Sequence, residues 1–365
     1  MTLVLTVVLV ALIFEYINGF HDTANSIATV VSTKALTPRQ AIVLAASMNL
    51  IGALVGTAVA KTISSGLVDA HFVSTHTIVC ALLGAIIWNL LTWWFGLPSS
   101  SSHALIGGLV GATIASAHGE WAAVIWSKAP ALGKHWWEGS GILYKVVLPM
   151  LVSPLLGLLA GFTIMSVLYC GFQGFRPHPV GQAFKRLQLV SAGFLGFSHG
   201  SNDAQKTMGI ITLSLVAGTK AGDLANVPDW LTFLRIEDLG PKGDNIPLWI
   251  KISCALVMAA GTAAGGWRII RTLSHKMVRL QPINGFAAEV TSASVLLSAA
   301  HLGMPVSTTH AITTSIMGVG AAKRFNAIQW SVVERIVWAW VLTLPTTATL
   351  AYVLMRICQA ADWVK

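Results

Sequence analysis

Long apolar stretches alternate with short polar stretches along this chain. Several of the apolar stretches run for about 20 residues, the length that a helix needs to cross the hydrocarbon core of a bilayer. The predicted membrane segments are Leu3 to Val31, Ala41 to Ala60, His76 to Ala117, Ile142 to Gly171, Leu187 to Ala217, Leu248 to Trp267, Gly285 to Ala321 and Gln329 to Ile357. This pattern predicts an all-α, polytopic membrane protein whose surroundings are the lipid bilayer.

Two of the eight segments are too long for one crossing, and each contains a polar interruption. The third is interrupted by GLPSSSSH (Gly96 to His103) and the seventh by GMPVSTTH (Gly303 to His310). A proline followed by hydroxyl side chains ends one helix and caps the next. We therefore predict two re-entrant, broken-helix hairpins, each of which enters the membrane and returns to its own side.

The loop charges support this topology. With both hairpins and an outside N-terminus, the predicted inner loops contain Lys and Arg but no acidic residue, whereas the outer loops are mixed or acidic. The inner loops are 32–40, 172–186, 268–282 and 322–328. Since short cytoplasmic loops of membrane proteins carry an excess of Lys and Arg, we predict a multi-pass protein of the plasma (inner) membrane with its N-terminus outside.

The chain also repeats itself. Each half has the order span, span, hairpin, span, and the halves start on opposite sides of the membrane, as in the inverted-topology repeats of secondary transporters. PSSSSHA (98–104) aligns with PVSTTHA (305–311), and GFHDTANS (19–26) aligns with GSNDAQKT (200–207). We assign 1–171 to the first transmembrane repeat, 172–186 to a short cytoplasmic linker and 187–365 to the second repeat.

Composition agrees with a membrane protein. Of the 365 residues, 55% are hydrophobic and only 10% are charged, whereas soluble domains carry about 25% charged residues. The formal net charge of +9 could suggest a nucleic-acid partner, but the Lys and Arg residues are scattered through short loops, so we expect none. Homo-oligomerisation stays open.

The hairpin tips are candidate anion sites. Serines and threonines before a helix are often simple caps, but each tip carries more hydroxyls than one cap needs. A helix N-terminus inside the membrane offers free N–H groups and a positive partial charge to an anion. Tetrahedral phosphate suits two such tips, and the candidate phosphate-binding residues are Ser100, Ser101, Ser102, Ser307, Thr308 and Thr309.

The aspartates at membrane depth point to a coupling cation. A carboxylate next to an anion is repelled unless it is protonated or binds a cation. Asp22 with Asn25, and Asp203 with Asn202, offer the oxygen ligands of a sodium or proton site, with Asp22, Asn25 and Asp203 as Na⁺ ligands; a divalent metal carried with phosphate is also compatible. The alternative is a hydrogen bond that only joins helices.

Five further ionisable residues in or next to the apolar segments accompany these motifs. Glu289 is a coupling or proton-relay candidate, as is Glu15, and each has the alternative of pairing within the bundle. Lys206 either neutralises Asp203 or touches the anion. His103 and His310 follow the hydroxyls and are expected to orient them, with direct ligation of the anion as the alternative.

The four motifs resemble the duplicated signatures of the PiT family of inorganic phosphate transporters. They are GFHDTANSIAT, GSNDAQKTMG, LPSSSSHALIGGLVGA and MPVSTTHAITTSIMGVG. The resemblance implies low-affinity phosphate uptake driven by a proton or sodium gradient, in some bacterial members as a neutral metal-phosphate complex. It also implies signature roles for Asp22, Asn25, Asp203 and Glu289 and for hairpin residues Ser100, Ser102, Ser307 and Thr309. Lys206 departs from relatives that repeat the asparagine in the second half.

The expected function is therefore a secondary active transporter that imports phosphate with a cation, with H⁺ preferred, Na⁺ as the alternative and no other cofactor. A different tetrahedral oxyanion such as sulfate is the nearest rival. A channel or an intramembrane enzyme could use the same polar residues, but the chain has no HExxH, GxSxG or nucleotide-binding pattern, so we expect no enzyme.

Overall fold

A computed structural model describes residues 2–130, 132–133, 135–237, 239, 245–272, 280–323 and 325–363. Its described part is helical apart from loops and two isolated β-bridges. Twelve α-helices lie within these residues: α1 Thr2–Ser32, α2 Pro38–Ala53, α3 Ala58–Ser65, α4 Thr75–Phe95, α5 Ser101–Ser116, α6 Leu148–Phe172, α7 Pro177–Lys220, α8 Leu248–Ala264, α9 Trp267–Arg271, α10 Pro282–His301, α11 Thr308–Lys323 and α12 Trp330–Ala360. The all-α, polytopic fold class is confirmed.

Five helical stretches in the described residues are long and apolar enough to cross a membrane. They are Thr2–Ser32, Thr75–Phe95, Leu143–Phe172, Pro282–His301 and Trp330–Ala360. A bent pair, α2 and α3, gives a sixth if it is counted as one span. The 44 residues of α7 correspond to about 66 Å of helix, and its polar middle makes it less apolar than these five.

Both predicted hairpins are present. Helix α4 ends in a left-handed cap at Gly96 (φ 65°) and packs along α5. Helix α10 is followed by Gly303 (φ 63°) and packs along α11. Glycine adopts this backbone conformation without the steric cost of a Cβ atom. In each hairpin the chain can therefore turn at the glycine, before the proline and the hydroxyl cluster that lead into the second helix.

The prediction of one continuous span over Ala41 to Ala60 was wrong. The chain bends by 66° between α2 and α3, and Gly56 in the connection has a φ of +84°. The second repeat breaks at the equivalent place, because Gly265, with a φ of +73°, separates α8 from α9. Both repeats therefore have a broken second element as well as a broken hairpin.

Several predicted loops differ in extent or lie partly outside the described residues. Residues 177–186 of the predicted linker form the first turns of α7, which leaves 173–176 between helices. Residues 273–279 and 324, in two predicted inner loops, lie outside the description, as do 131, 134, 238 and 240–244 in two outer loops.

The two repeats interlock. The last helix of the first repeat, α6, packs along α11 of the second, and α12 packs along α5 of the first. In the same reciprocal way α1 packs on α8 and α2 packs on α7. The core is therefore shared between the halves, and the middles of α1 and α7 are brought against both hairpin tips.

Candidate functional site

The polar site predicted from the sequence lies in the interior of this helical body. None of the fourteen predicted site residues is more than 3% exposed. Burying polar groups in a membrane protein is costly unless partners or ligands compensate them. The arrangement of partners therefore shows what each side chain can do.

The hairpin tips are built alike. The hydroxyl oxygens of Ser100 and Ser307 accept hydrogen bonds from the backbone N–H groups of His103 and His310, both at 3.2 Å. These two serines are helix N-caps. The cap satisfies one N–H of each first turn, and the preceding N–H groups of each helix have no intrahelical acceptor. Both helix N-termini thus keep donors that can bind an anion.

The two tips touch each other reciprocally. The Ser102 hydroxyl donates to the carbonyl of Val306 at 3.2 Å, and the Thr309 hydroxyl donates to the carbonyl of Ser99 at 2.9 Å. The first turn of each hairpin helix, α5 or α11, is thus hydrogen-bonded to the loop that precedes the hairpin helix of the other repeat. The hairpins meet inside the protein as the inverted-repeat prediction requires.

The two aspartates converge on the same tip. The Thr308 hydroxyl lies 3.4 Å from Oδ2 of Asp22 and 3.3 Å from Oδ2 of Asp203. Asp22 comes from α1 and Asp203 from α7, so residues that are distant in sequence share one hydroxyl.

Each aspartate also has a histidine neighbour that was not among the predicted site residues. Nδ1 of His21 lies 2.7 Å from Oδ1 of Asp22, and Nε2 of His199 lies 3.2 Å from Oδ2 of Asp203. Asp22, His199 and Asp203 can each offer one ligand atom, and these three atoms lie within 4.8 Å of one another. The signal in the sequence was a histidine close before each signature aspartate, one residue before Asp22 and four residues before Asp203.

Asn25 and Lys206 occupy matching positions of the repeats but have different surroundings. The Asn25 amide donates to the hydroxyls of Thr308 and Thr309, at 3.3 and 2.9 Å. The Lys206 ammonium pairs with Asp203 and also donates to the Ser102 hydroxyl. Each side chain thus reaches from its own α1 or α7 position to the hairpin tip of the other repeat.

A group of buried polar atoms near these residues has no hydrogen-bond partner among the described residues. It includes Oδ1 of Asn25 and the hydroxyls of Ser26 and Ser101. Native proteins pair nearly all buried polar atoms, so an unpaired group at the meeting point of two helix N-termini points to a polar ligand.

Glu289 lies in a separate cluster. Its carboxylate accepts hydrogen bonds from Thr29 at 2.7 Å, from Gln188 at 2.8 Å and from Ser191 at 2.5 Å. Thr29 is seven residues, or about two helical turns, along α1 from Asp22. The structure therefore does not bring Glu289 into the group around Thr308, and it shows three partners that the sequence analysis missed. Glu15 is buried as well and accepts a hydrogen bond from Thr207, the residue after Lys206.

The remaining predicted residues are buried but contact the tips less directly. The rings of His103 and His310 pack edge to face with centroids 4.8 Å apart, and His310 also packs against Trp340. Neither ring nitrogen of His310 has a hydrogen-bond partner in the described part, and the same holds for both polar atoms of the Asn202 side chain. The histidines thus contact the tips mainly through their backbone N–H groups.

Inverted repeats whose broken helices meet at buried charges define the class of secondary membrane transporters. The sequence model of the phosphate transporter family matches residues 18–178 and again 173–351. The chain therefore belongs to the phosphate transporter family. Membership of this family makes the protein a transporter and not an enzyme, as expected from the sequence.

Similar proteins are known from several bacteria. The chain is 41% identical over 352 residues to a probable low-affinity inorganic phosphate transporter of Bacillus subtilis, covering 95% of each chain. It is 41% identical to a protein of the same description from Rhizobium meliloti, covering 96% of this chain and 94% of the other. Among solved structures it resembles a sodium-dependent phosphate transporter, with a TM-score of 0.79 and 23% identity over 99% of this chain and 100% of that one. At this identity the structural likeness supports the fold.

Proposed function

We propose that the protein imports inorganic phosphate across the plasma (inner) membrane by symport with a cation, and that the cation is a proton. The observation that carries this proposal is the meeting of two capped helix N-termini, one from each repeat, beside Asp22, Asp203 and Lys206. Helix N-termini bind anions, and the aspartates supply the means to couple the anion to a positive charge.

The donors at the tips fit a tetrahedral oxyanion. The first turns of α5 and α11 offer backbone N–H groups from two directions, and the Ser101 hydroxyl has no other partner among the described residues. Lys206 adds a positive charge next to Ser102. The proposed phosphate contacts are therefore the first turns that contain Ser101, Ser102, Thr308 and Thr309, with Ser100 and Ser307 as the caps that shape them.

Charge balance supports coupling to a cation. Two ionised carboxylates about 5 Å apart repel each other by roughly 3 to 4 kcal/mol at an effective dielectric constant near 20. Asp22, Asp203 and Lys206 together carry one net negative charge, and phosphate adds at least one more. A proton or a bound cation that arrives with phosphate reduces this repulsion, so the two bind better together than apart.

The histidine partners favour a proton. His21 lies against Asp22 and His199 lies against Asp203, and an imidazole can accept a proton on one ring nitrogen and donate one from the other. Sodium remains the alternative, with Asp22, Asn25 and Asp203 as oxygen ligands. A divalent metal that travels with phosphate would use Asp22, His199 and Asp203, whose ligand atoms lie within 4.8 Å of one another.

Labelled-phosphate uptake into proteoliposomes tests the proposal. Under an imposed inward proton gradient without sodium, we expect uptake that collapses when a protonophore removes the gradient. Uptake that requires sodium would replace H⁺ with Na⁺ as the coupling ion, and uptake that requires Mg²⁺ together with phosphate would favour the metal-phosphate complex. Uptake of sulfate without uptake of phosphate would overturn the assignment of substrate, and flux that ignores every gradient would support a channel.

A further inference from the structure

The aspartate motifs of the two repeats share their aspartate but differ three residues after it. In the internal alignment Asp22 pairs with Asp203, Ser26 with Thr207, and Asn25 with Lys206. A neutral amide in the first repeat is thus replaced by a charged ammonium in the second. The two side chains also differ in their hydrogen-bond partners.

Lys206 is fully engaged by oxygen atoms. Its ammonium pairs with Oδ1 of Asp203, donates to the Ser102 hydroxyl, and donates to the carbonyl of Val306 at 3.2 Å. A lysine ammonium has three donors, so these three acceptors use all of them. A carboxylate, a hydroxyl and a backbone carbonyl are also the oxygen ligands that hard cations prefer in proteins.

The matching place in the first repeat is open. Oδ1 of Asn25 and the Ser26 hydroxyl have no hydrogen-bond partner among the described residues. Asp22 faces the tip through Oδ2, with a 3.4 Å contact from the Thr308 hydroxyl. Two unpaired buried oxygen atoms, on Asn25 and Ser26, thus lie on α1 within four residues of an aspartate whose Oδ2 has only a long contact with Thr308. The second repeat differs because Thr207 is bound to Glu15 and Asp203 is bound to Lys206.

We propose that the Lys206 ammonium is a built-in cation, which occupies the second-repeat counterpart of the cation site and leaves one site, at Asp22, Asn25 and Ser26, for a cation from solution. This inference rests on the proposed function, because it concerns the number of cations that accompany phosphate. The ammonium bridges Asp203 to Ser102 and so joins the aspartate helix to the hairpin tip. Its charge is present at every ion concentration, so only the first-repeat site responds to the external cation.

The test compares Lys206→Asn with Lys206→Arg. In proteoliposomes with saturating phosphate, wild-type uptake should depend on the coupling cation with a Hill coefficient near one. Lys206→Asn should lower uptake at least tenfold at the wild-type cation concentration, and sodium should restore it, because an amide oxygen can join Asp203, Ser102 and Val306 as ligands. Lys206→Arg keeps the charge and should need no added sodium.

A second measurement follows sodium binding through thermal stability, so it does not depend on transport. It therefore tests this inference even if a variant folds poorly or if the proposed function is wrong. The thermal unfolding of purified protein is followed with sodium or choline and without phosphate. Sodium should raise the unfolding temperature of Lys206→Asn by more than that of the wild type or of Lys206→Arg. Equal sodium effects in all three, or a wild-type Hill coefficient of two, would overturn the inference. A wild type that transports no phosphate would overturn the proposed function and leave the unfolding result to decide on the built-in cation.

Discussion

The hydroxyl groups at the hairpin tips do different things although they look alike in sequence. Ser100 and Ser307 cap helices, whereas Ser102 and Thr309 bind carbonyls of the opposite tip. The Ser101 hydroxyl is buried and has no partner among the described residues. We therefore expect removal of the Ser101 hydroxyl to disturb the protein least and ligand binding most.

We expect Ser101→Ala to raise the phosphate concentration for half-maximal uptake by about tenfold to a hundredfold, because a hydrogen bond to a charged group contributes roughly 1.5–3 kcal/mol. The maximal rate should change less. Ser166→Ala is the matched control, since Ser166 is half-buried on α6, away from the tips, and its hydroxyl donates to the carbonyl of Phe162 in its own helix. Unchanged half-saturation in Ser101→Ala would place phosphate elsewhere.

Asp22→Asn keeps the size of the side chain and removes its charge. We expect gradient-driven phosphate uptake to fall at least tenfold while the protein still inserts and purifies, because the cation loses its carboxylate ligand or proton acceptor. Asp229→Asn, in an exposed turn outside the site, is the control. Wild-type uptake by Asp22→Asn would remove Asp22 from the coupling step.

Sequence reasoning singled out as candidates the residues that stand out chemically. Asp22, Asp203 and the serine clusters are polar in apolar segments, and their repetition within the chain made them conspicuous. Their exact partners were not predictable in the same way. Gln188 and Ser191 gain their roles as partners of Glu289 only because α7 packs on α10, and a single sequence does not specify this contact.

At the scale of helices, matching glycines allow the hairpins to pack closely against the outer spans. A Cβ atom on Gly111 of α5 would lie 1.9 Å from the carbonyl oxygen of Ala348 in α12. A Cβ atom on Gly318 of α11 would lie 2.1 Å from the carbonyl oxygen of Leu158 in α6. Small residues let membrane helices approach in this way.

We expect Gly111→Ala and Gly318→Ala each to destabilise the protein by about 1–3 kcal/mol, the usual range for overpacking. The backbones of two helices must separate to admit the methyl group. Gly171→Ala is the matched control, because a Cβ atom there would meet nothing within 4 Å. The measurement is thermal unfolding in detergent, and an unchanged unfolding temperature in both test variants would contradict this packing.

Hairpins were predictable as elements, whereas the breaks in the second and sixth segments were not. Proline and four hydroxyls in a row mark the break before α5, but a lone glycine such as Gly56 is compatible with a continuous membrane helix. Its positive φ becomes evident only in the structure. The same holds for Gly265, which marks the equivalent break in the second half.

For the whole molecule, the reciprocal packing of the repeats limits how the transporter can move. Helix α6 is part of the first repeat in sequence but packs against α11 in the hairpin of the second repeat. Helix α12 is part of the second repeat but packs against α5 in the hairpin of the first. A motion of one sequence half against the other would have to separate these close helix pairs. The bodies that move during transport are therefore expected to contain helices from both repeats.

The loop charges predict the orientation of the whole protein in the membrane. Lys and Arg without acidic residues in 172–186 predict that this loop is cytoplasmic, and the 118–141 loop is predicted to be outside. In a background with Cys170 and Cys358 replaced by serine, a membrane-impermeant maleimide in intact cells should label Ser127→Cys and leave Gly174→Cys unlabelled. Gly174 suits the reporter because a Cβ atom there meets nothing within 4 Å. Both variants should be labelled in permeabilised cells. Labelling of Gly174→Cys but not of Ser127→Cys in intact cells would show the opposite orientation, with the N-terminus inside.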